Sequence, residues 1–254
     1  MRKINRLLWD VETSPNIGLF WRPGWKVSLS HDNIIQERAI ICICWKWEGS
    51  SKVEHLEWDA GDDRKLCEQF MEVALQADEL IAHNGDKYDV KFFNGRCIAH
   101  GLDPAPQWKT VDTLVIARRR FGFNSNRLDY LGQYLLGEGK IKTDYGLWKD
   151  ILLKNCPKAM RQMVKYCKQD VKLLERVWKK LEPYHTPKTH VGRLNGGDKW
   201  QSPFTGSENV KKSKTKITAA GTRQHQMQCK DTGGYYTISE KAYGEYREWK
   251  DEQK

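Results

Sequence analysis

The stretch Leu7–Thr13 most restricts what this chain can fold into, because it carries two acidic residues inside a short apolar run. Basic residues precede the run and Ser14-Pro15 follows it, a pattern that predicts a buried strand ended by a turn. Side chains two residues apart leave the same face of a strand, so Asp10 and Glu12 would stand close together and repel each other. A divalent cation with oxygen ligands would relieve that repulsion. The alternative is that one of the two residues begins a solvent-exposed turn.

Length and composition are those of a globular protein. The chain has 254 residues, of which 39% are hydrophobic and 30% are charged, enough for a sizeable core in a soluble protein. No run approaches the roughly 18 apolar residues that span a bilayer, and no signal-peptide pattern follows Met1. We therefore expect no membrane association and a cytoplasmic location. The seven cysteines are scattered without a C-x-x-C spacing, which favours free thiols in a reducing compartment.

Positive charge is concentrated toward the end of the chain. The net charge is +10, and residues 183–254 carry 13 Lys and Arg against 8 Asp and Glu, whereas residues 1–182 carry 30 against 25. The last 72 residues are therefore more than twice as basic per residue, which indicates either a polyanionic partner such as nucleic acid or simply a solvated basic surface.

Hydrophobic patterns predict the order of the secondary structure elements. Ala39–Trp47 is strongly apolar and Val53–Trp58 alternates, so the two segments predict a hairpin beside the first strand. Periodic apolar residues and capping signals then predict a helix over 62–77, a strand over 79–83, and helices over 90–98, 126–136 and 157–182. This order indicates an α/β fold with a mixed sheet flanked by helices.

An aromatic segment, Ile17–Trp25, interrupts this pattern and is too polar and broken to be regular structure. Exposing Phe20, Trp21 and Trp25 is unfavourable, so they either form a substrate-facing loop or pack against the sheet.

Two further acidic positions lie in predicted helices. Asp89 begins a helix directly after a strand, and Asp170 lies in the apolar stripe of the last long helix, one turn after Tyr166. Burying Asp170 is unfavourable unless it is paired or binds a metal. Each position also has a structural explanation: Asp89 as a charge favoured at a helix N-terminus, and Asp170 as the partner of Lys165 or Lys172.

Together these residues resemble the three motifs of the DEDD, or DnaQ-like, 3'-5' exonuclease superfamily in its tyrosine-containing branch. The motifs are Asp10-x-Glu12, Asn84 followed by Tyr88-Asp89, and Tyr166-x-x-x-Asp170. Their order and spacing match over residues 4 to 182, and Leu128–Gly137 is similar to the segment before the last motif in polymerase-type and phage-type members. The resemblance implies a ribonuclease H-like fold and leaves a phage origin open.

The resemblance also implies a mechanism. Asp10, Glu12, Asp89 and Asp170 would hold two Mg2+ or Mn2+ ions about 4 Å apart, and Tyr166 would orient the attacking water. Asn84 is expected to position the substrate or the Asp89 loop.

The implied activity is a metal-dependent 3'-5' exonuclease that releases nucleoside 5'-monophosphates from single-stranded ends, with DNA favoured over RNA. Two alternatives stay open: a catalytically idle nucleic-acid-binding or partner-binding protein on a nuclease scaffold, and an RNA-directed exonuclease of the ribonuclease D kind.

The sequence predicts an exonuclease domain over residues 1–182 and a linker over 183–198. Residues 199–240, after the linker, resemble a zinc ribbon of the kind attached to transposases. Its two knuckles would be Ser202–Ser207 and Cys229–Gly233. Ser202, Thr205 and Thr232 stand where thiolates would be, and hydroxyls are poor zinc ligands, so we expect a β-rich module without zinc. Coincidental similarity is the alternative.

The C-terminal module is expected to bind nucleic acid phosphates or a protein partner. The basic residues expected to face phosphates, with salt-sensitive affinity, are Lys211, Lys212, Lys214, Lys216 and Arg223. The charged tail over 241–254 could be a short amphipathic helix or a disordered end.

Overall fold

The computed structural model of the chain describes residues 3–22, 24 and 29–253. Its contacts form two compact units. The first unit comprises Asn5–Val115 and Asn124–Val177. The second comprises Ile116–Phe123, the chain from Trp178 onward and the first residues of the chain. The predicted domain boundaries stay a prediction.

The strands are β1 (Arg6–Thr13), β2 (Ile17–Gly18), β3 (Ile34–Gln36), β4 (Ile40–Trp47), β5 (Glu54–Glu57), β6 (Glu79–Ala82), β7 (Thr110–Asp112), β8 (Val210–Ile217), β9 (Arg223–Cys229) and β10 (Tyr235–Ser239). The helices are α1 (Arg64–Ala74), α2 (Asp89–Ala99), α3 (Thr113–Arg120), α4 (Leu128–Leu136), α5 (Tyr145–Lys154), α6 (Pro157–Leu181), α7 (Val191–Leu194) and α8 (Glu240–Glu252). None of the helices built from described residues is long and apolar enough to cross a bilayer.

A five-stranded mixed sheet organises the first unit. Its order is β5-β4-β1-β6-β7, with β1 antiparallel to β4 and parallel to β6. The predicted hairpin is β4 with β5, and the predicted mixed sheet flanked by helices is confirmed. β1 is central and has one neighbour on each side, which explains why its sequence is a nearly continuous apolar run.

Aromatic side chains fill one side of this sheet. Trp9 of β1 stacks on Phe70 of α1 with ring centroids 5.0 Å apart, and Phe93 of α2 meets both rings edge-on. All three side chains are fully buried. Because Trp9 and Val11 point into this core, Asp10 and Glu12 point to the opposite face of β1.

Several element boundaries differ from the sequence prediction. The helix expected to follow a cap at Asp62 begins at Arg64, one residue later, and Oδ1 of Asp62 accepts from the Arg64 amide at 2.9 Å. The carboxylate of Asp63 makes tertiary contacts instead. α5 was not predicted; Asp144 caps it by accepting from the Gly146 amide, at 2.6 Å, and only Leu147 and Ile151 are buried. Its apolar stripe is therefore too short to recognise from periodicity.

The second unit contains the antiparallel sheet β10-β9-β8. The predicted C-terminal β-rich module is therefore present. Its core includes Trp200, Met227, Tyr236 and Tyr246, the last from α8. Of the two alternatives predicted for the end of the chain, the helix is therefore correct. The side chain of Ser239 caps this helix, α8, by accepting from the amide of Ala242.

Candidate active site

Two elements of the first unit carry the three acidic side chains that come closest together. β1 supplies Asp10 and Glu12 from one face, and α6 supplies Asp170, whose side chain is 1% exposed. One carboxylate oxygen from each residue lies within 4.8 Å of the other two. Strand and helix geometry thus bring together three of the four predicted ligands.

The fourth predicted ligand, Asp89, lies beside this group but is not part of it. Its Oδ1 accepts a hydrogen bond from the amide of Val11, the residue between Asp10 and Glu12, at 3.2 Å. Burial raises the pKa of Asp89 to about 7, and the charge of Asp112 acts in the same direction. Asp89 is therefore joined to the centre of β1 through the backbone.

Burial makes the charged form of this acidic group unfavourable. It raises the pKa of Asp10, Glu12 and Asp170 above their usual values, and neighbouring negative groups add to the effect for Asp10 and Glu12. The Oδ1 of Asp170 is buried and has no hydrogen-bond partner among the described residues. A buried carboxylate oxygen without a donor is costly, so this oxygen is available to a cation.

Asp63, another buried carboxylate of the same unit, shows the contrast. It accepts hydrogen bonds from the Ile40 amide at 2.7 Å and from Arg96 at 2.7 and 2.8 Å, and it contacts His100 at 2.6 Å. Burial alone would raise the pKa of Asp63, but these partners hold it below its usual value. Both carboxylate oxygens of Asp63 are therefore paired, whereas Oδ1 of Asp170 has no partner among the described residues.

Lys140 is the functional candidate that sequence reasoning missed. Its ammonium donates to Oδ2 of Asp170 and lies 3.4 Å from the hydroxyl of Tyr166. Burial alone would lower the pKa of Lys140, but the charges of Asp170 and Asp10 raise it above its usual value. The expected alternatives Lys165 and Lys172 are wrong as partners of Asp170. Lys140 lies in the loop after α4, and no local spacing connects it to a residue of α6.

Tyr166 lies one turn before Asp170, as predicted. Burial raises its pKa to about 12, and the charge of Asp170 contributes. The phenol therefore keeps its proton near neutral pH and can donate a hydrogen bond, but it cannot act as a base there.

A turn between β6 and α2 holds Asp89 in place. Asn84 adopts a left-handed backbone conformation with φ 70°, and its backbone N–H donates to Oδ1 of Asp112 at 3.0 Å. The same Asp112 oxygen accepts from the backbone amide of Leu114 at the start of α3, so Asp112 caps this helix. His83 bridges Thr113 and the Asn126 carbonyl, so it supports the fold. The predicted role of Asn84 in positioning the Asp89 loop fits this geometry.

The predicted substrate-facing aromatics are only partly described. Phe20 and Trp21 are 57% and 105% exposed, so the alternative that they pack against the sheet is wrong for these two. Trp25 lies outside the described residues. A substrate contact for all three stays a prediction.

The predicted phosphate-binding residues of β8 lie on two different faces of the C-terminal sheet. Lys211, Lys214 and Lys216 pair with the partly exposed Gln228, Gln226 and Gln224 of β9. Lys212 pairs with buried Met227 instead, and its ammonium lies 4.6 Å from the ring centroid of Tyr243. Arg223 approaches Glu240 at 3.9 Å. Phosphate binding by these residues stays a prediction.

The two knuckle-like segments also meet in the second unit. Thr205 Oγ1 lies 3.8 Å from Cys229 Sγ, and Ser202 Oγ accepts from the amides of Phe204 and Thr205 at 3.2 and 3.3 Å. The hydroxyls of Ser202 and Thr205 therefore make ordinary hydrogen bonds within the second unit. The resemblance to a zinc ribbon, and the expected absence of zinc, stay predictions.

The acidic group fits a hard divalent cation, because Mg2+ and Mn2+ prefer carboxylate oxygens. Asp10, Glu12 and Asp170 supply convergent oxygens, and none of the described residues donates to Oδ1 of Asp170. The chemistry of the donor set therefore supports divalent metal binding at this site.

Comparisons with known proteins point in the same direction. A family model described as the RNase_H superfamily matches residues 36–182, which is more than half of the chain. The match includes Asp89, Tyr166 and Asp170 and begins after Asp10 and Glu12.

Two polymerases are similar to parts of the chain. A PolC-type DNA polymerase III from Ureaplasma parvum serovar 3 is 43% identical over 49 residues, which is 19% of this chain and 3% of that protein. The family B DNA polymerase of the hyperthermophilic archaeon Pyrobaculum calidifontis has a TM-score of 0.55 at 17% identity, over 72% of this chain and 25% of the polymerase. The chain spans a small part of each polymerase, and the structural likeness at this identity shows the fold alone.

Proposed function

The chain belongs to the RNase_H superfamily, which confirms the predicted ribonuclease H-like fold, and on this premise we propose that it is a divalent-metal-dependent 3'-5' exonuclease of the tyrosine-containing DEDD branch. It would hydrolyse the terminal phosphodiester bond of single-stranded nucleic acid and release nucleoside 5'-monophosphates. The observation that carries the proposal is the buried group of Asp10, Glu12 and Asp170, with oxygens within 4.8 Å of one another.

In this proposal Asp10, Glu12, Asp89 and Asp170 hold Mg2+ or Mn2+. The bound ions would supply Lewis-acid chemistry, which would make a water more acidic and offset negative charge on the departing 3' oxygen. Asp89 ties the site to β1 through the Val11 amide, so its position and that of Asp10 are set together.

Two side chains of this site carry protons near neutral pH. Tyr166, with its pKa raised to about 12, would donate a hydrogen bond that orients the attacking water. Lys140 keeps its positive charge beside Asp170 and would attract the scissile phosphate. Both roles are positional and electrostatic, as phosphoryl transfer requires.

DNA is the favoured substrate, because the relative that matches in sequence is named as a DNA polymerase. The 3'-5' direction rests on the DEDD resemblance, in which a tyrosine lies four residues before the last aspartate. An RNA-directed exonuclease remains the alternative within the same chemistry.

A second candidate function has one observation in its favour. The ion pair between Lys140 and Asp170 neutralises part of the acidic group without a metal. A chain that relied on this pair would be a nucleic-acid-binding protein on a nuclease scaffold.

End-labelled oligonucleotides separate these functions. The purified chain is incubated with single-stranded DNA or RNA labelled at the 5' or the 3' end, with Mg2+, Mn2+ or EDTA. The proposal predicts metal-dependent shortening from the 3' end, lost in Asp10→Ala, Glu12→Ala and kept in Asp150→Asn, which changes a solvent-exposed carboxylate of α5 paired with Lys154. Binding without shortening under every metal condition would support the scaffold function, and shortening of RNA alone would support the RNA-directed one.

A further inference from the structure

We infer that the second unit carries its own binding groove for single-stranded nucleic acid, formed by the outer face of the β10-β9-β8 sheet together with residues of α3 and of the segments before and after α7. The inference rests on the proposed function only for the class of ligand. The groove has a volume of about 570 Å3, and all its lining residues belong to the second unit. Its cations and exposed rings are Arg120, Tyr184, Lys199, Lys216 and Tyr235.

The register of the sheet explains why one face is built for a polar ligand. In β9 the residues Gln224, Gln226 and Gln228 alternate with buried His225, Met227 and Cys229. Paired residues share a face, so Lys216 lies beside Gln224, and Thr237 and Tyr235 lie beside Gln226 and Gln228. A bulge between Lys212 and Lys214 keeps Lys211, Lys214 and Lys216 all on this outer face. The face combines amides, a hydroxyl, a phenol and three ammonium groups.

Charge in the groove has one sign. Arg120, Lys199 and Lys216 line it and are exposed, and none of the described lining residues is acidic. Arg120 donates to the hydroxyl of Thr186 at 3.1 Å, which holds its guanidinium at the groove. Three cations in a described lining that contains no acidic residue favour a ligand with several negative charges.

Exposed aromatic side chains in the groove favour single-stranded nucleic acid as the ligand. Tyr184 and Tyr235 are 53% and 51% exposed, which is unusual for large aromatic side chains in a folded protein. Tyr184 packs edge-on against Phe121 with ring centroids 4.7 Å apart, so its orientation is fixed. Bases can stack on such rings only when they are unpaired, and base stacking between cations is how single strands are bound without sequence preference. The volume lies within the range of about 300–1,000 Å3 typical of ligand sites.

Binding is tested in EDTA, so that the result does not depend on catalysis. Fluorescence anisotropy measures the affinity of the full chain for fluorescein-labelled oligo-dT of about 12 nucleotides over a range of salt concentrations. The groove variant is Arg120→Gln, Lys199→Gln, Lys216→Gln. A matched control, Lys180→Gln, Lys230→Gln, Lys241→Gln, removes the same charge from exposed positions of the same unit that do not line the groove.

The groove variant should bind at least about tenfold more weakly, and the slope of log affinity against log salt should decrease by about 2, the value for three phosphate contacts with a single strand. The control should lose less than about threefold. Equal losses in the two variants, or no loss in the groove variant, would overturn the inference, because binding would then follow net charge or another surface.

A second variant tests the rings, independently of charge. Tyr235→Ala should weaken oligo-dT binding about fivefold or more and leave binding of a duplex of the same length unchanged. An equal loss of affinity for oligo-dT and for the duplex would contradict a single-strand site. If poly-glutamate displaced oligo-dT as effectively as unlabelled oligo-dT does, the result would contradict it too and would indicate an acidic protein partner. A chain that degrades DNA with Mn2+ but does not bind oligo-dT through the groove would overturn this inference alone, and a chain that binds but never degrades would overturn the proposed function alone.

Discussion

The acidic group of the first unit and the basic groove of the second use charge in opposite ways. Asp170 is 1% exposed, and the carboxylates around it have raised pKa values, so keeping them charged opposes folding. The cations of the groove are exposed and remain hydrated. Buried, underpaired charge is maintained against a free-energy cost and therefore indicates function on its own, whereas exposed charge indicates function only when geometry organises it.

Asp63 sharpens this comparison within the first unit. It is as buried as Asp170, yet its guanidinium, imidazole and amide partners lower its pKa. The difference between the two aspartates is the missing donor at Oδ1 of Asp170, and not burial itself.

The largest effect is expected from removing a charge at the acidic group. Asp170→Asn should lower the rate of nucleotide release by at least about 1,000-fold, because metal binding at such sites contributes several kcal/mol to transition-state stabilisation. Initial rates with a single-stranded oligonucleotide and Mn2+ measure it, with Asp150→Asn as the control. A rate within tenfold of the unchanged chain would show that the buried group is not catalytic.

Metal should stabilise the fold in a pH-dependent way. Raised pKa values mean that the folded chain binds protons more tightly than the unfolded chain. The contribution of these carboxylates to the stability of the metal-free protein is therefore fully present below the usual carboxyl values of 3.8 and 4.5. It is lost as pH rises through the folded values, about 7 for Asp89.

Mn2+ binds the deprotonated carboxylates and should reverse this loss. At about 100 times its Kd it should add about 2.7 kcal/mol, or about 5–10 °C in Tm, near pH 8, and much less near pH 5. Thermal melts with Mn2+ or EDTA measure the difference. An equal shift at both pH values would contradict the assignment of the raised pKa values to the metal site.

Removing the internal cation should leave Asp170 without its partner. Lys140→Gln should lower the free energy of unfolding of the metal-free chain by about 1.5–3 kcal/mol, the typical value of a charged hydrogen bond, and Mn2+ should recover part of that loss. Urea unfolding measures it, with the exposed neighbour Lys142→Gln as control. Identical behaviour of the two variants would show that the Lys140 ion pair contributes nothing.

The smallest effects are expected on β8, where the two faces can be compared directly. Lys214→Gln should change the free energy of unfolding by less than about 0.5 kcal/mol and lower the salt slope of oligonucleotide binding by about 0.7. Lys212→Gln removes a cation from the ring of Tyr243 and should cost about 0.5–1 kcal/mol of stability with the salt slope unchanged. Reversed results would assign the binding face to the wrong side of the sheet.

Local spacing made the main parts of the site predictable. The strand period of two placed Asp10 and Glu12 on one face, and the helical spacing of four placed Tyr166 one turn from Asp170. The predicted end of the helix over 126–136 is also correct, because Gly137 follows α4 in the left-handed conformation that ends a helix, with φ 71°.

Contacts between residues far apart in sequence were not predictable in this way. Lys140 reaches Asp170 across 30 residues from a loop without periodicity. The groove likewise joins Arg120, Lys199 and Lys216, which belong to separate segments. In both cases the tertiary fold, and not a local pattern, creates the juxtaposition.

Metal-dependent catalysis requires that the buried group of Asp10, Glu12 and Asp170 binds a divalent metal. Titration of the chain with Mn2+, followed by the electron paramagnetic resonance signal of free Mn2+ in the absence of nucleic acid, measures this binding. We predict saturable binding near pH 8 that is lost in Asp10→Asn, Glu12→Gln, Asp170→Asn and retained in Asp150→Asn. Equal Mn2+ binding by the triple variant and the unchanged chain would contradict the metal site and the catalytic mechanism built on it.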